Sequence, residues 1–156
     1  KKQAACIDNR LYLVAVEDGE SREILGKQVT FFDIQSTKAK QFGFCMELGN
    51  GEKLTCCGDE PYNECERKYA ENSTWLLHEA FCLHGQADIF HPYEKHHSTV
   101  KDAAELAESL GVKNLLVKVP SSSTLDAAAR EELTLSLTEA GVEHLVIRDD
   151  AASYFE

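Results

Sequence analysis

Residues 99–118 read TVKDAAELAESLGVKNLLVK, and this stretch decides the fold. Thr99 followed by Asp102 is a capping box, in which each side chain satisfies a backbone N–H that the first helical turn leaves unpaired. Ala103, Leu106, Ala107 and Leu110 then recur at helical spacing and make one apolar stripe. Gly111 stops the helix, because glycine accepts the left-handed conformation at a helix end without a Cβ clash. The apolar run from Asn114 to Val119 is too short for a second helix and reads as a strand. The same order returns: Gly141-Val142-Glu143-His144-Leu145-Val146-Ile147-Arg148 matches Gly111-Val112-Lys113-Asn114-Leu115-Leu116-Val117-Lys118 at an offset of 30 residues. Ser123 with Asp126, then Leu133 and Leu137 on a stripe, supply its preceding helix. Two successive helix-then-strand units imply right-handed crossovers and parallel neighbouring strands, so the fold class is α/β.

Upstream, residues 11–16, 28–35, 41–48 and 53–57 are short runs of Val, Phe, Leu and Ile separated by turn formers such as Asp18-Gly19. Leu48-Gly49-Asn50-Gly51-Glu52 signals a hairpin, since Asn and Gly tolerate the positive φ of a tight reversal. Residues 63–70 read as a helix, and Trp75-Leu76-Leu77 as a buried strand. Val29 and Phe31 alternate with Phe32 and Ile34, so both faces of that strand are apolar and the sheet is expected to be covered on two sides.

The 16 Lys and Arg residues against 27 Asp and Glu leave a net charge of -11, which repels a polyanion and argues against nucleic-acid binding through this chain's own surface. No apolar run approaches the roughly 20 residues that cross a bilayer, and Lys1-Lys2-Gln3-Ala4-Ala5-Cys6 lacks the apolar core of a secretory signal. The expected location is cytoplasmic, with no membrane partner. The six cysteines then read as reduced thiols, Cys45 and Cys82 in apolar contexts. A zinc site at Cys56, Cys57 and Cys65 is the sharper alternative, without a Cys-x-x-Cys pair to support it. His84, His91 and His96 share one loop at spacings that place no pair on one face of an element.

Three motifs carry chemistry: Gly58-Asp59-Glu60 directly after a strand, His78-Glu79-Ala80-Phe81 after another, and His96-His97-Ser98-Thr99 at the start of the first helix. The carboxyl ends of strands are where open α/β sheets place ligands. In this order the motifs resemble the second half of a metallo-β-lactamase-fold hydrolase related to ribonuclease Z. The likeness runs over about residues 8–117 and fades beyond. It implies half of an αββα sandwich, with a mixed sheet and helices, plus a C-terminal helix-strand unit. One α/β domain then spans residues 1–156, with 1–117 the metallo-β-lactamase-like half and 118–156 a divergent tail.

By this resemblance Asp59 is the carboxylate that bridges two zinc ions, Glu79 orients a histidine, and His97 is that histidine, donating a proton to the leaving oxygen. Asp59 is then a vestigial metal ligand. The family's His-x-His-x-Asp-His run does not occur in the 156 residues, and Val119 stands where the family's strand ends in a metal-binding histidine. The expectation is a chain that holds no zinc when isolated and is inactive alone, its partner a complementing half or a second copy in a homodimer. The alternative is a non-catalytic, recombined or engineered α/β protein with no metal site.

Overall fold

The reversal at residues 48–52 places Gly49, Asn50 and Gly51 at φ 104°, 55° and 79°, the positive values that its sequence anticipates. It joins strand β5 (Phe42–Gly49) to β6 (Glu52–Cys56) as an antiparallel pair, with a register shift between Glu47 and Gly49. The computed structural model describes residues 4–7, 11–119 and 144–149, with side chains over 14–118.

The main sheet has seven strands in chain order: β3 (Ser21–Ile24), β4 (Lys27–Asp33), β5, β6, β7 (Trp75–Glu79), β8 (Asn114–Val119) and β9 (His144–Asp149). Pairing is antiparallel from β3 to β6 and parallel from β6 to β9. The switch falls where the hairpins give way to crossovers: the short α1 (Arg67–Ala70) lies between β6 and β7, and after the one-turn α2 (Ala87–Phe90) the helix α3 (Val100–Ser109) leads into β8, as the capping box and glycine stop foretold. The second expected helix lies outside the described residues. Strand β9, in the expected parallel register with β8, extends the same sheet.

Three expectations need correction. The strand expected at residues 11–16 is shorter and leaves the main sheet: among the described residues β2 (Leu11–Val14) pairs with β1 (Ala4–Ile7) alone. Strand β3 was missed because Ser-Arg-Glu-Ile lacks apolar alternation. Its turn to β4 runs through Leu25 (φ 51°) and Gly26 (φ 73°), a two-residue reversal with positive φ at both positions in which leucine disguises the signal. The helix expected at residues 63–70 is a 3-10 turn over Glu64–Glu66 followed by the short α1 (Arg67–Ala70). The Glu66 N–H donates to the Asn63 carbonyl at 2.9 Å, an i to i+3 bond that tightens the first turn.

Helices α1 and α3 pack on the same face. Leu76 of β7 and Leu115 and Val117 of β8 form one buried cluster with Ala70, Ala103, Ala107 and Leu110. Each large side chain in it stabilises the fold by about 1.5–3 kcal/mol relative to exposure. Further along this face the Tyr69 ring stacks on Phe32 at 4.3 Å, and Gly43, opposite Phe32 in register, leaves room for that ring. Registers put Phe31, Phe44, Met46, Leu54, Trp75 and Leu116 on the other face, where they are only half-buried. No described helix that contacts the sheet lies there.

Candidate functional site

Because β6, β7 and β8 run parallel, their carboxyl ends lie along one edge of the sheet, and the three motifs leave from that edge. Strand β7 ends on Glu79, which is 8 % exposed. The segment after it pairs with the approach to α3: the Phe81 N–H donates to the Ser98 carbonyl at 2.8 Å, and the Val100 N–H to the Cys82 carbonyl at 3.0 Å. This clamp brings Glu79 and residues 97–99 together across 18 residues of loop. Glu79 Oε1 accepts from the Ser98 N–H at 2.7 Å and lies 2.7 Å from Ser98 Oγ. Its Oε2 lies 3.2 Å from His97 Nδ1.

A carboxylate only accepts, so it selects the ring tautomer in which Nδ1–H donates to Glu79. Nε2 is then the nitrogen left for other chemistry. The expected Glu79–His97 pair is present. Ser98, quoted within a motif but given no role there, proves to be the residue that fixes the carboxylate.

Asp59 lies three residues beyond the end of β6, exposed, and among the described residues it makes no hydrogen bond or ion pair with the Glu79–His97 pair. Its neighbour Glu60 is the structural member of the motif. At 6 % exposure its carboxylate accepts from Ser36 Oγ (2.6 Å), the Thr37 N–H (3.3 Å) and Gln41 Nε2 (3.3 Å), tying the β4–β5 loop to the end of β6. The Ser36 bond holds this carboxyl below the usual glutamate range. Only its adjacency to Asp59 marked it in the sequence.

His78 precedes Glu79 but faces the core, 2 % exposed, with Nδ1 2.7 Å from the Glu79 carbonyl. Burial holds it below the ordinary histidine range, so it sits neutral and donates that proton to the carbonyl. His84 begins a 3-10 turn, while His91 and His96 both take left-handed backbone (φ 49° and 57°) on the exposed loop. Among the described residues no three His, Cys, Asp or Glu side chains are grouped to hold a metal. Cys56 and Cys57 are successive residues of an extended segment and face opposite sides, which separates that candidate ligand set. The five described cysteines are free thiols, Cys57 and Cys82 fully buried. Among these residues no helix is long and apolar enough to cross a membrane.

The sheet order, the helices on one face and the motifs on the carboxyl edge define half of a metallo-β-lactamase-fold sandwich. Solved structures agree: the metallo-β-lactamase fold protein YhfI from Bacillus subtilis superposes with a TM-score of 0.62 at 14 % identity, over 86 % of this chain and 52 % of that one. Zn(2+)-bound PqqB from Methylobacterium extorquens gives 0.62 at 13 % identity, over 87 % and 50 %. In sequence the chain resembles ribonuclease Z. It is 32 % identical to that of Exiguobacterium sibiricum over 128 residues, which is 78 % of this chain and 42 % of that protein. It is 31 % identical to ribonuclease Z 1 of Schizosaccharomyces pombe over 108 residues, 65 % of this chain and 13 % of that protein. The chain thus spans less than half the length of these curated relatives. No family model matches it.

Proposed function

We propose that the chain is the proton-donor half of a metallo-β-lactamase-fold phosphodiester hydrolase of ribonuclease Z type, inactive alone and active once a complementing half supplies metal ligands. The observation that carries this reading is the hydrogen-bonded run from Ser98 through Glu79 to His97 Nδ1. That run holds Nδ1–H on the carboxylate, so that the imidazolium form, which carries a second proton on Nε2, can give that proton to a leaving oxygen and return to the neutral Nδ1–H ring, the role of a positioned general acid.

Zinc, present in the PqqB structure, takes three or four ligands per ion. The described donors at the strand ends are Asp59 and His97 Nε2; both Glu79 oxygens are committed to Ser98 and His97. Strand β8 ends on Val119, whose residue type offers no lone pair. This set does not fit a two-zinc centre.

The half-buried apolar face is the surface on which the complementing half would dock. A net charge of -11 makes the other half the natural bearer of contacts to a polyanionic substrate.

The test mixes this chain with the portion of the Exiguobacterium sibiricum enzyme that carries the His-x-His-x-Asp-His run, adds zinc, and follows hydrolysis of bis(p-nitrophenyl) phosphate. Activity only in the mixture, lost with His97→Ala and with Asp59→Ala, is the expected result. Two zinc equivalents retained by the dialysed chain alone, with turnover, would overturn the claim of inactivity. An inactive mixture that nonetheless associates favours the second reading, a non-catalytic α/β protein, which Val119 at the end of β8 supports.

A further inference from the structure

We infer that Phe81 is the positioning residue that sets the plane of the His97 ring. The inference gives the proposed proton donor its orientation and so rests on that reading for its purpose, though not for its geometry. A single hydrogen bond at Nδ1 locates one atom of an imidazole and leaves the ring free to swing about it. A second constraint is required to aim Nε2. The Phe81 ring provides one: it lies against the imidazole with centroids 5.1 Å apart and planes inclined by 17°, a stacked arrangement.

Phe81 is itself held. Its N–H donates to the Ser98 carbonyl, so the backbone clamp that brings Glu79 to Ser98 also fixes where the aromatic ring begins. Lys95 Nζ sits over the Phe81 ring at 4.7 Å from its centroid, a cation on the ring's electron-rich surface. The same short segment of chain therefore delivers both constraints on His97, the carboxylate of Glu79 to its edge and the ring of Phe81 to its face.

The experiment is a two-bond 1H–15N correlation spectrum of the full chain labelled in its histidines, recorded at alkaline pH, together with the three-bond couplings that report the His97 side-chain torsions. Wild-type His97 should appear as the Nδ1–H tautomer, with ring protons displaced upfield by the facing Phe81. Phe81→Leu keeps apolar bulk but removes the stack. His97 should keep the Nδ1–H tautomer that Glu79 selects but lose its single ring orientation, seen as averaging of its side-chain couplings, while the buried His78 keeps its wild-type signals and reports an intact fold. Phe81→Tyr and Phe81→Trp should restore the wild-type pattern.

A single His97 ring orientation retained in Phe81→Leu, or averaged equally in Phe81→Tyr, overturns the inference. Should Phe81→Leu lose the His78 signals, the wild-type spectrum still decides: no upfield displacement and no Phe81–His97 cross-relaxation refutes the stack. Failure of the half-enzyme mixture to cleave would sink the hydrolase reading and leave these spectra unchanged, so the two failures are distinguishable.

Discussion

Glu66 offers the sharpest thermodynamic test of the fold. Its side chain is fully buried at the corner between the 3-10 turn and α1. One oxygen accepts from the Asn63 N–H at 2.8 Å; the other reaches no hydrogen-bond partner. The groups around it are the thiols of Cys56, Cys57 and Cys65 and the phenol of Tyr62, none of them cationic. Burial therefore raises its carboxyl from 4.5 to about 7, against the opposing pull of the Asn63 N–H and the weaker one of the Cys57 thiol.

The folded state thus keeps a proton that the unfolded chain has already released. Stability from this group is fully present below pH 4.5 and is lost as pH rises to about 7. The slope is about 1.4 kcal/mol per pH unit, and the whole loss is on the order of 3 kcal/mol. His78 acts in the opposite sense, since its folded form resists protonation and its contribution grows as pH rises towards 6.5. The informative quantity is therefore the difference between wild type and Glu66→Gln, in which His78 cancels.

Glutamine matches the neutral acid in shape. Urea unfolding followed by Trp75 fluorescence should give nearly equal stabilities at pH 4, below the unfolded carboxyl's 4.5. At pH 8 the variant should be more stable by up to ~3 kcal/mol. Parallel pH profiles, or a variant less stable at pH 8, would refute the claim that this buried carboxyl holds its proton.

Thr99→Ala removes the cap whose Oγ1 accepts from the Asp102 N–H at 3.3 Å, and the urea midpoint should fall by the equivalent of about 1 kcal/mol. Gly43→Ala would press a methyl against the Phe32 ring and the Cys56 carbonyl oxygen; thermal melts should show a loss of at least ~2 kcal/mol, because the β6 backbone cannot yield. The isolated chain, with one sheet face half-buried, should associate: covering ~800 Å² per copy reaches the size of a specific interface. Light scattering at micromolar concentration should report about twice 17.4 kDa, and a clean monomer that binds no hydrophobic dye would contradict it.

What the sequence made legible was whatever is encoded locally. The cap at Thr99, the stop at Gly111 and the turn at Asn50-Gly51 each impose a backbone conformation through one or two residues, and all three are present. Strand β3 escaped because its turn places leucine at a positive φ and its four residues are largely exposed on both faces, so no alternating pattern was required of them. Within the site, residue identity suggested Glu79 and His97 but could not supply what holds them. Ser98 and Phe81 act on those residues only because the parallel bridge between Cys82 and Thr99 lays the two segments side by side, a relation between distant residues that no local pattern records. Glu60 and Glu66 make the same point from the other direction: nothing in their polar flanking sequence marks burial, and only the packed structure shows them buried. One is satisfied by three donors and held ionised, the other short of a partner and held protonated. The environment, rather than the residue type, sets the charge of each. A site assembled from buried carboxylates is therefore readable in outline from motif order, while its electrostatics follow from the loops that close over it.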